Sequence, residues 1–93
     1  MAIHRDQVIK DYQKLFPSAF IKPGEDFDGR EGDSIWLSAE EPDTAIDGVP
    51  IFNYYAMSDR YEIGVLNKFM DWLHERGWYA EWNDPGTIFL YEE

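Results

Sequence analysis

The chain has 93 residues, no cysteine, 44% hydrophobic and 17% aromatic residues, and a formal net charge of -11. This length fits a single domain with one core, and the apolar content argues against global disorder. The absence of cysteine excludes disulfides, thiolate nucleophiles and cysteine-ligated zinc, and no apolar run reaches the roughly 18 residues of a membrane helix. We therefore expect a soluble, cytoplasmic, single-domain protein that spans residues 1–93 and does not bind a membrane.

Charge is distributed unevenly along the chain. Residues 1–24 carry four basic and two acidic side chains, whereas residues 25–50 carry nine acids and a single base, Arg30. Proteins bind phosphate backbones through basic side chains, so this balance disfavours direct nucleic-acid binding. It favours partners with basic surfaces.

The first third of the chain predicts a helix followed by irregular structure. Apolar side chains in residues 6–16 recur at spacings of three and four, as on one helix face, and Pro17 ends the helix. Residues 20–21 are expected to be extended before a turn at 22–24. The polar, glycine-punctuated residues 25–33 predict a loop.

Two strands are predicted next. Residues 34–40 alternate apolar and polar side chains, which indicates a half-buried strand. Residues 41–48 predict a second acidic loop, with Asp47 and Gly48 turning the chain. Residues 49–56 are rich in β-forming side chains and predict the second strand.

A second helix is expected to begin at Ser58 or Asp59, where Asp59 and Glu62 have the spacing of a capping box. Gly77 supplies the left-handed residue that ends it. Its apolar stripe has the helical spacing i, i+3, i+4 and i+7 and consists of Leu66, Phe69, Met70 and Leu73.

Residues 78–82 and 87–91 predict a closing hairpin. The elements then follow the order αββαββ. We expect an α+β fold in which a four-stranded, mainly antiparallel sheet carries both helices on one face. The order of the strands is left open.

The last hairpin has two plausible registers. Pro85 and Gly86 suit the central positions of a type II turn, which would place Glu81 among aliphatic side chains. A three-residue loop, Asp84–Gly86, separates apolar from charged side chains better, and we favour it because a one-residue slip would turn every side chain to the wrong face. Its inner face then holds Trp78, Ala80, Trp82, Ile88 and Leu90.

In the favoured register an aromatic strip of Tyr79, Phe89 and Tyr91 points outward, edged by Glu81 and the C-terminal acids. The alternative is that a loop or the N-terminal segment covers the strip, since monomers rarely leave such patches open. Five other aromatic residues are expected to lie mostly in the core, because the acidic surroundings do not suit base stacking. They are Trp36, Tyr54, Tyr55, Trp78 and Trp82.

Motifs for metal binding and catalysis are missing. The acids from Asp26 onward resemble a calcium loop, but the fifth, sixth and twelfth positions are Arg30, Glu31 and Leu37, which do not fit. His74 has no second histidine four residues later, and no nucleophile elbow, phosphate loop or dinucleotide fingerprint is present. We expect neither a metal, a cofactor nor enzymatic activity.

Residues 50–56 and 77–91, with the sequences PIFNYYA and GWYAEWNDPGTIFLY, resemble small uncharacterised acidic proteins encoded in phages and prophages. The resemblance covers roughly the second half of the chain. It implies an accessory role in a bacterial cytoplasm and transfers no catalytic residues.

The leading hypothesis is a non-enzymatic interaction module that binds another protein, or a second copy through an edge strand of the hairpin, with Tyr79, Glu81, Phe89 and Tyr91 as the binding residues. The alternative is an acidic mimic of nucleic acid that inhibits a DNA-binding or defence protein. A small hydrolytic or metal-dependent enzyme is a third reading. The acidic surface of the mimic would comprise Asp26, Asp28, Glu31, Asp33, Glu40, Glu41, Asp43 and Asp47.

Overall fold

Three helices and eight short strands make up the computed structural model, which describes residues 2–30, 32–41, 43–56 and 58–93. In chain order they are α1 (Arg5–Leu15), β1 (Ile21–Pro23), α2 (Glu25–Asp28), β2 (Ile35–Ser38), β3 (Ala45–Ile46), β4 (Val49–Pro50), β5 (Tyr61–Glu62), β6 (Val65–Leu66), α3 (Asn67–His74), β7 (Trp78–Asp84) and β8 (Thr87–Glu92).

The predicted α+β fold is confirmed. Strands β1, β2, β8 and β7 form a four-stranded antiparallel sheet in that order. Helix α1 matches the predicted first helix, with His4 Nδ1 accepting a hydrogen bond from the Asp6 backbone N–H at its start. Both long helices pack on one face of the sheet, against a core that contains Val8, Tyr12, Ile35, Leu37, Phe69, Leu73, Trp78, Ile88 and Leu90.

One strand of the sheet is not the predicted one. Residues 49–56 form only β4, which pairs with β3 across a turn at Asp47 and Gly48, where φ is 55° and 78°. This turn was predicted, but the long strand was wrong, since consecutive Ile51 and Phe52 are both buried and cannot alternate between two faces. The fourth position in the sheet belongs to β1, which ends at Pro23, on an edge where a missing N–H is tolerated.

The predicted start of the second helix was also wrong. Residues 61–66 form the β5–β6 hairpin, which turns at Ile63 and Gly64, both with positive φ, and α3 begins only at Asn67. Asp59 and Glu62 therefore form no capping box. Gly77 has φ 77° and ends the helical segment as expected.

The opposite face of the sheet is covered by a segment predicted to be a loop. Within residues 25–33, Glu25–Asp28 form the short helix α2, which Gly29 ends with φ 73°. The Phe27 ring meets the rings of Trp36 and Phe89 at centroid distances of 5.0 and 5.2 Å. We call this side of the sheet the outer face.

Among the residues that the structure describes, no helix is long and apolar enough to cross a membrane.

Candidate functional site

The closing hairpin combines features of both registers considered from the sequence. Ala80 pairs with Leu90 and Trp82 with Ile88, which is the predicted arrangement of faces. The ladder shifts between Trp82 and Asp84, so that Asp84 pairs with Thr87 across a two-residue turn. The three-residue loop was therefore wrong, because a bulge at Asn83 absorbs the extra residue and preserves the buried register.

Phe89 is not available to a partner, contrary to the predicted aromatic strip. Its side chain is 2% exposed, because the Phe27 ring packs against it and the Arg30 guanidinium lies 3.8 Å from its ring centroid. Arg30 is held there by Asp28, whose oxygens accept two hydrogen bonds of 2.8 Å, and by Tyr91 Oη at 2.8 Å. The alternative considered from the sequence, that a loop covers the aromatic strip, is therefore correct for Phe89.

The other three predicted binding residues remain partly or fully accessible. Tyr79 and Tyr91 are half-buried, with ring centroids 5.8 Å apart, and Glu81 is exposed. Tyr79 and Tyr91 line a shallow cavity of about 340 Å³ together with Asp33, Ser34 and Glu92. The side chains of Tyr79 and Glu81 therefore project from β7 on the outer face of the sheet.

A more exposed apolar patch lies on the other side of β7 and was missed in the sequence. Ile63 is 84% exposed, Tyr55 78% and Tyr54 47%, so the expectation that both tyrosines lie in the core was wrong. The Tyr54 ring stands edge-on to Trp82 at 5.0 Å, and Trp82 Nε1 donates a hydrogen bond of 2.6 Å to Ile63 O. Of the remaining predicted core aromatics, Trp78 is buried, whereas Trp36 and Trp82 are half-buried.

The sequence signal for this patch is limited to Gly64, which can adopt the positive φ that a tight turn needs. Asn-Gly or Asp-Gly is the usual sequence of such a turn, and Ile63-Gly64 does not match it. A β-branched residue at positive φ is unusual, since its side chain crowds the backbone. The backbone conformation of Ile63, with φ 47°, therefore has an energetic cost.

Strand β7 is an open edge of the sheet. Its neighbour in the sheet is β8, and no other described strand or loop forms a backbone hydrogen bond with Tyr79–Asp84. A groove of about 310 Å³ runs beside this edge. We call it the β7 groove; it is lined by Glu62, Ile63, Val65, Met70, Ala80, Glu81 and Trp82.

The predicted acidic surface is divided by intramolecular contacts. Two of its acids form ion pairs, Asp28 with Arg30 at 2.8 Å and Asp47 with Lys68. The preceding acid Glu25, which is not in the predicted set, forms an ion pair with Arg5 at 2.7 Å. These hydrogen bonds hold the pKa values of the three carboxyl groups below their usual range.

Glu41 turns inward, where its Oε1 accepts a hydrogen bond from the Phe20 backbone N–H at 2.7 Å. Glu31 lies outside the described residues. The acids of the predicted set that remain exposed without an ion pair to a described residue are Asp26, Asp33, Glu40 and Asp43. The reading as a nucleic-acid mimic stays a prediction.

Within residues 2–30, 32–41, 43–56 and 58–93, no group of three or more histidine or carboxylate side chains converges as it would around a metal ion.

A scan against protein-family models, a search of curated proteins and a search of solved structures each found no match for this chain. The resemblance to phage-encoded proteins therefore stays a prediction.

Proposed function

We propose that the protein is a non-enzymatic interaction module that binds an extended, positively charged segment of another protein as an additional strand on β7. The observation that carries this proposal is the unpaired edge of β7 beside an apolar groove. Strand addition supplies affinity through main-chain hydrogen bonds and specificity through pockets that take alternate side chains.

The groove provides such a pocket. Ile63, Met70 and Trp82 present apolar surface to one side of the edge, and the most exposed large apolar side chains of the described chain are next to it. An added strand would direct every second side chain into this groove. Apolar residues at alternate positions of the partner segment are therefore expected.

Charge favours a basic partner over a second copy of the chain. Glu62 and Glu81 border the groove, and the whole chain has a formal net charge of -11. Two copies would repel each other, whereas a Lys- or Arg-rich segment would be attracted at a distance and bind faster at low salt. Partner binding should weaken as the salt concentration rises.

The test is a selection of random nine-residue peptides displayed against the protein, followed by affinity measurements on the enriched peptides. We expect enrichment of Lys or Arg together with Val, Ile or Leu at alternate positions. The variant Ile63→Gly should bind them at least about tenfold more weakly, as expected for the loss of a central anchor.

The matched control is Leu15→Ala, which truncates another exposed apolar side chain, 44% exposed, at a position that does not line the groove. Alanine is used here because glycine would weaken helix α1. It should bind like the unchanged protein. Equal binding by the Ile63→Gly variant would refute the proposed site. Light scattering over a concentration series tests whether a second copy of the chain occupies the groove instead. A dimer that dissociates when Ile63 is replaced by glycine would assign the groove to a second copy.

A further inference from the structure

The hydrogen bonds of the closing hairpin fix which backbone groups of β7 point to the open edge. In an antiparallel ladder, opposing residues alternate between pairs that exchange both hydrogen bonds and pairs that exchange none. Glu93 N–H donates to Gly77 O at 2.9 Å, so the adjacent pair of Trp78 with Glu92 exchanges none. By this alternation, the pairs that exchange both hydrogen bonds are Tyr79 with Tyr91 and Glu81 with Phe89.

The ladder on the other side of β8 agrees with this alternation. Ala39 N–H donates to Gly86 O at 2.9 Å, so the adjacent pair between β2 and β8 exchanges no hydrogen bonds. The backbone groups of Ile88 and Leu90 therefore face β2, and those of Phe89 face β7. Both ladders place the same residues of β7 in contact with β8.

Ala80 and Trp82 therefore direct their backbone N–H and C=O groups to the open edge. Neither residue forms a backbone hydrogen bond with any described residue outside the sheet. The bulge at Asn83 ends the regular edge on the side of the turn. A strand added beside the groove would have one residue opposite Ala80, one opposite Trp82, and one between them opposite Glu81.

The two residues opposite Ala80 and Trp82 would enter the β7 groove. The side chains of Ala80 and Trp82 lie on the core face of the sheet and line this groove together with Ile63 and Met70. Residues directly opposite each other on neighbouring strands direct their side chains to the same face. Apolar side chains are favoured at these two partner positions, because they remove apolar groove surface from water.

Glu81 faces the partner residue between them. Its side chain projects to the outer face, is exposed, and takes part in none of the ion pairs among the described residues. The cation that covers Phe89 on this face, Arg30, is bound by Asp28 and Tyr91 Oη instead. A basic side chain directly opposite Glu81 would therefore find an unpaired carboxylate.

We propose that the β7 edge recognises a three-residue sequence in its partner, apolar–basic–apolar, with the basic residue opposite Glu81 and the apolar residues opposite Ala80 and Trp82. This inference rests on the proposed function and specifies the partner of the same site. Glu81 is then the residue that determines specificity for charge, whereas the groove and the main-chain hydrogen bonds supply affinity.

The test uses two synthetic peptides with blocked ends, Ser-Thr-Ile-Lys-Ile-Thr-Ser and the same peptide with Glu in place of Lys, titrated at constant ionic strength. The unchanged protein should prefer the Lys peptide by about two- to fivefold. Glu81→Lys should lower this preference by about fivefold or more, and Glu81→Gln by a smaller factor. The matched control Glu75→Lys changes the net charge equally, at an exposed position that does not line the groove, and should keep the preference.

Amide hydrogen exchange checks the pairing pattern independently. The amides of Ala80 and Trp82 should exchange rapidly in the free protein and become protected by the Lys peptide, whereas those of Tyr79 and Glu81 should be protected in both states. New protection at Tyr79 and Glu81 instead would overturn the proposed pairing.

Failure of the three-residue sequence can be told apart from failure of strand addition. If the Lys peptide protects β7 but Glu81→Lys and Glu75→Lys show the same preference, the role of Glu81 is refuted and strand addition stands. The sequence is also wrong if neither synthetic peptide binds while peptides selected against the groove do. If no peptide of either kind protects a β7 amide, both proposals are refuted.

Discussion

The Trp82 indole N–H donates a hydrogen bond of 2.6 Å to the backbone oxygen of Ile63. This contact ties the β5–β6 turn to strand β7 and holds Ile63 with φ 47° and its side chain 84% exposed. The β5–β6 turn requires a positive φ at this position, whereas the exposed side chain of Ile63 gains little from burial in the isolated chain. The geometry is explained if Ile63 serves as a contact surface.

Replacing Ile63 with glycine should stabilise the protein. A residue with a Cβ atom is destabilised by about 1–2 kcal/mol in the left-handed region, and glycine avoids this cost. Glycine loses more backbone entropy on folding, which costs about 0.5–1 kcal/mol. We therefore expect the free energy of unfolding to rise by about 0.5–1 kcal/mol. Urea denaturation measures this. The comparison variant Gly64→Ala should lose stability, because its Cβ would lie 2.9 Å from Asn53 O and from Trp82 Cζ2. A clear loss of stability in Ile63→Gly would show that the Ile63 side chain contributes to packing.

Replacing Arg30 with methionine should uncover Phe89. The substitution removes a guanidinium that stacks at 3.8 Å on the ring and donates to Tyr91 Oη. We expect a loss of about 1–2 kcal/mol in the free energy of unfolding and increased binding of a hydrophobic dye to the outer face. Arg60→Met is the control, since Arg60 is exposed and its side chain makes no ion pair or hydrogen bond with a described residue. Equal stability of the two variants would contradict the covering role of Arg30.

Stability should fall in acid. Hydrogen bonds and ion pairs lower the folded-state pKa values of several carboxyl groups, so the unfolded chain binds more protons than the folded one once the pH drops. Stability should change little between about pH 5 and 9 and decline as the pH falls through about 4, the value of an unperturbed carboxyl group. The groups concerned are Asp11, Glu25, Asp28, Asp47 and Asp84.

Asp11 offers a direct check of this decline. Its carboxylate accepts hydrogen bonds from Gln7 Nε2 at 2.8 Å and Arg76 Nε at 3.1 Å, and these contacts lower its pKa. The urea midpoint of Asp11→Asn should therefore depend less on pH between about 5 and 3 than that of the unchanged protein. Asp26→Asn removes an exposed carboxylate without a described partner and serves as control. An identical pH dependence in Asp11→Asn would contradict the assignment.

Local patterns were sufficient for the elements that follow a simple period. The helix ended by Pro17, the alternating strand at 35–38 and the closing hairpin were all predicted from spacing and breakers. Burial of the apolar face was sufficient to predict which side chains of the hairpin face the core. The bulge at Asn83 that makes this register possible was not predicted, because no residue in the sequence marks it. Short-range regularity was therefore a reliable guide.

Tertiary contacts decided the rest. Residues 49–56 have high β propensity, but burial of two consecutive side chains, Ile51 and Phe52, overrides it. Residues 25–33 have the composition of a solvated loop, yet Phe27 and Arg30 pack against Phe89 on the sheet. One of the four predicted binding residues, Phe89, was covered for this reason. The exposed patch around Ile63 depended on a turn whose neighbours come from distant parts of the chain.

The most direct test of strand addition is amide hydrogen exchange of β7 with and without a peptide selected against the β7 groove. Backbone N–H groups on the open edge of Tyr79–Asn83 should exchange rapidly in the free protein and become protected at alternate positions in the complex. Amides of the other edge strand, β1, should be unaffected. Binding of the peptide with unchanged exchange along β7, or with protection confined to residues 25–47, would contradict the account.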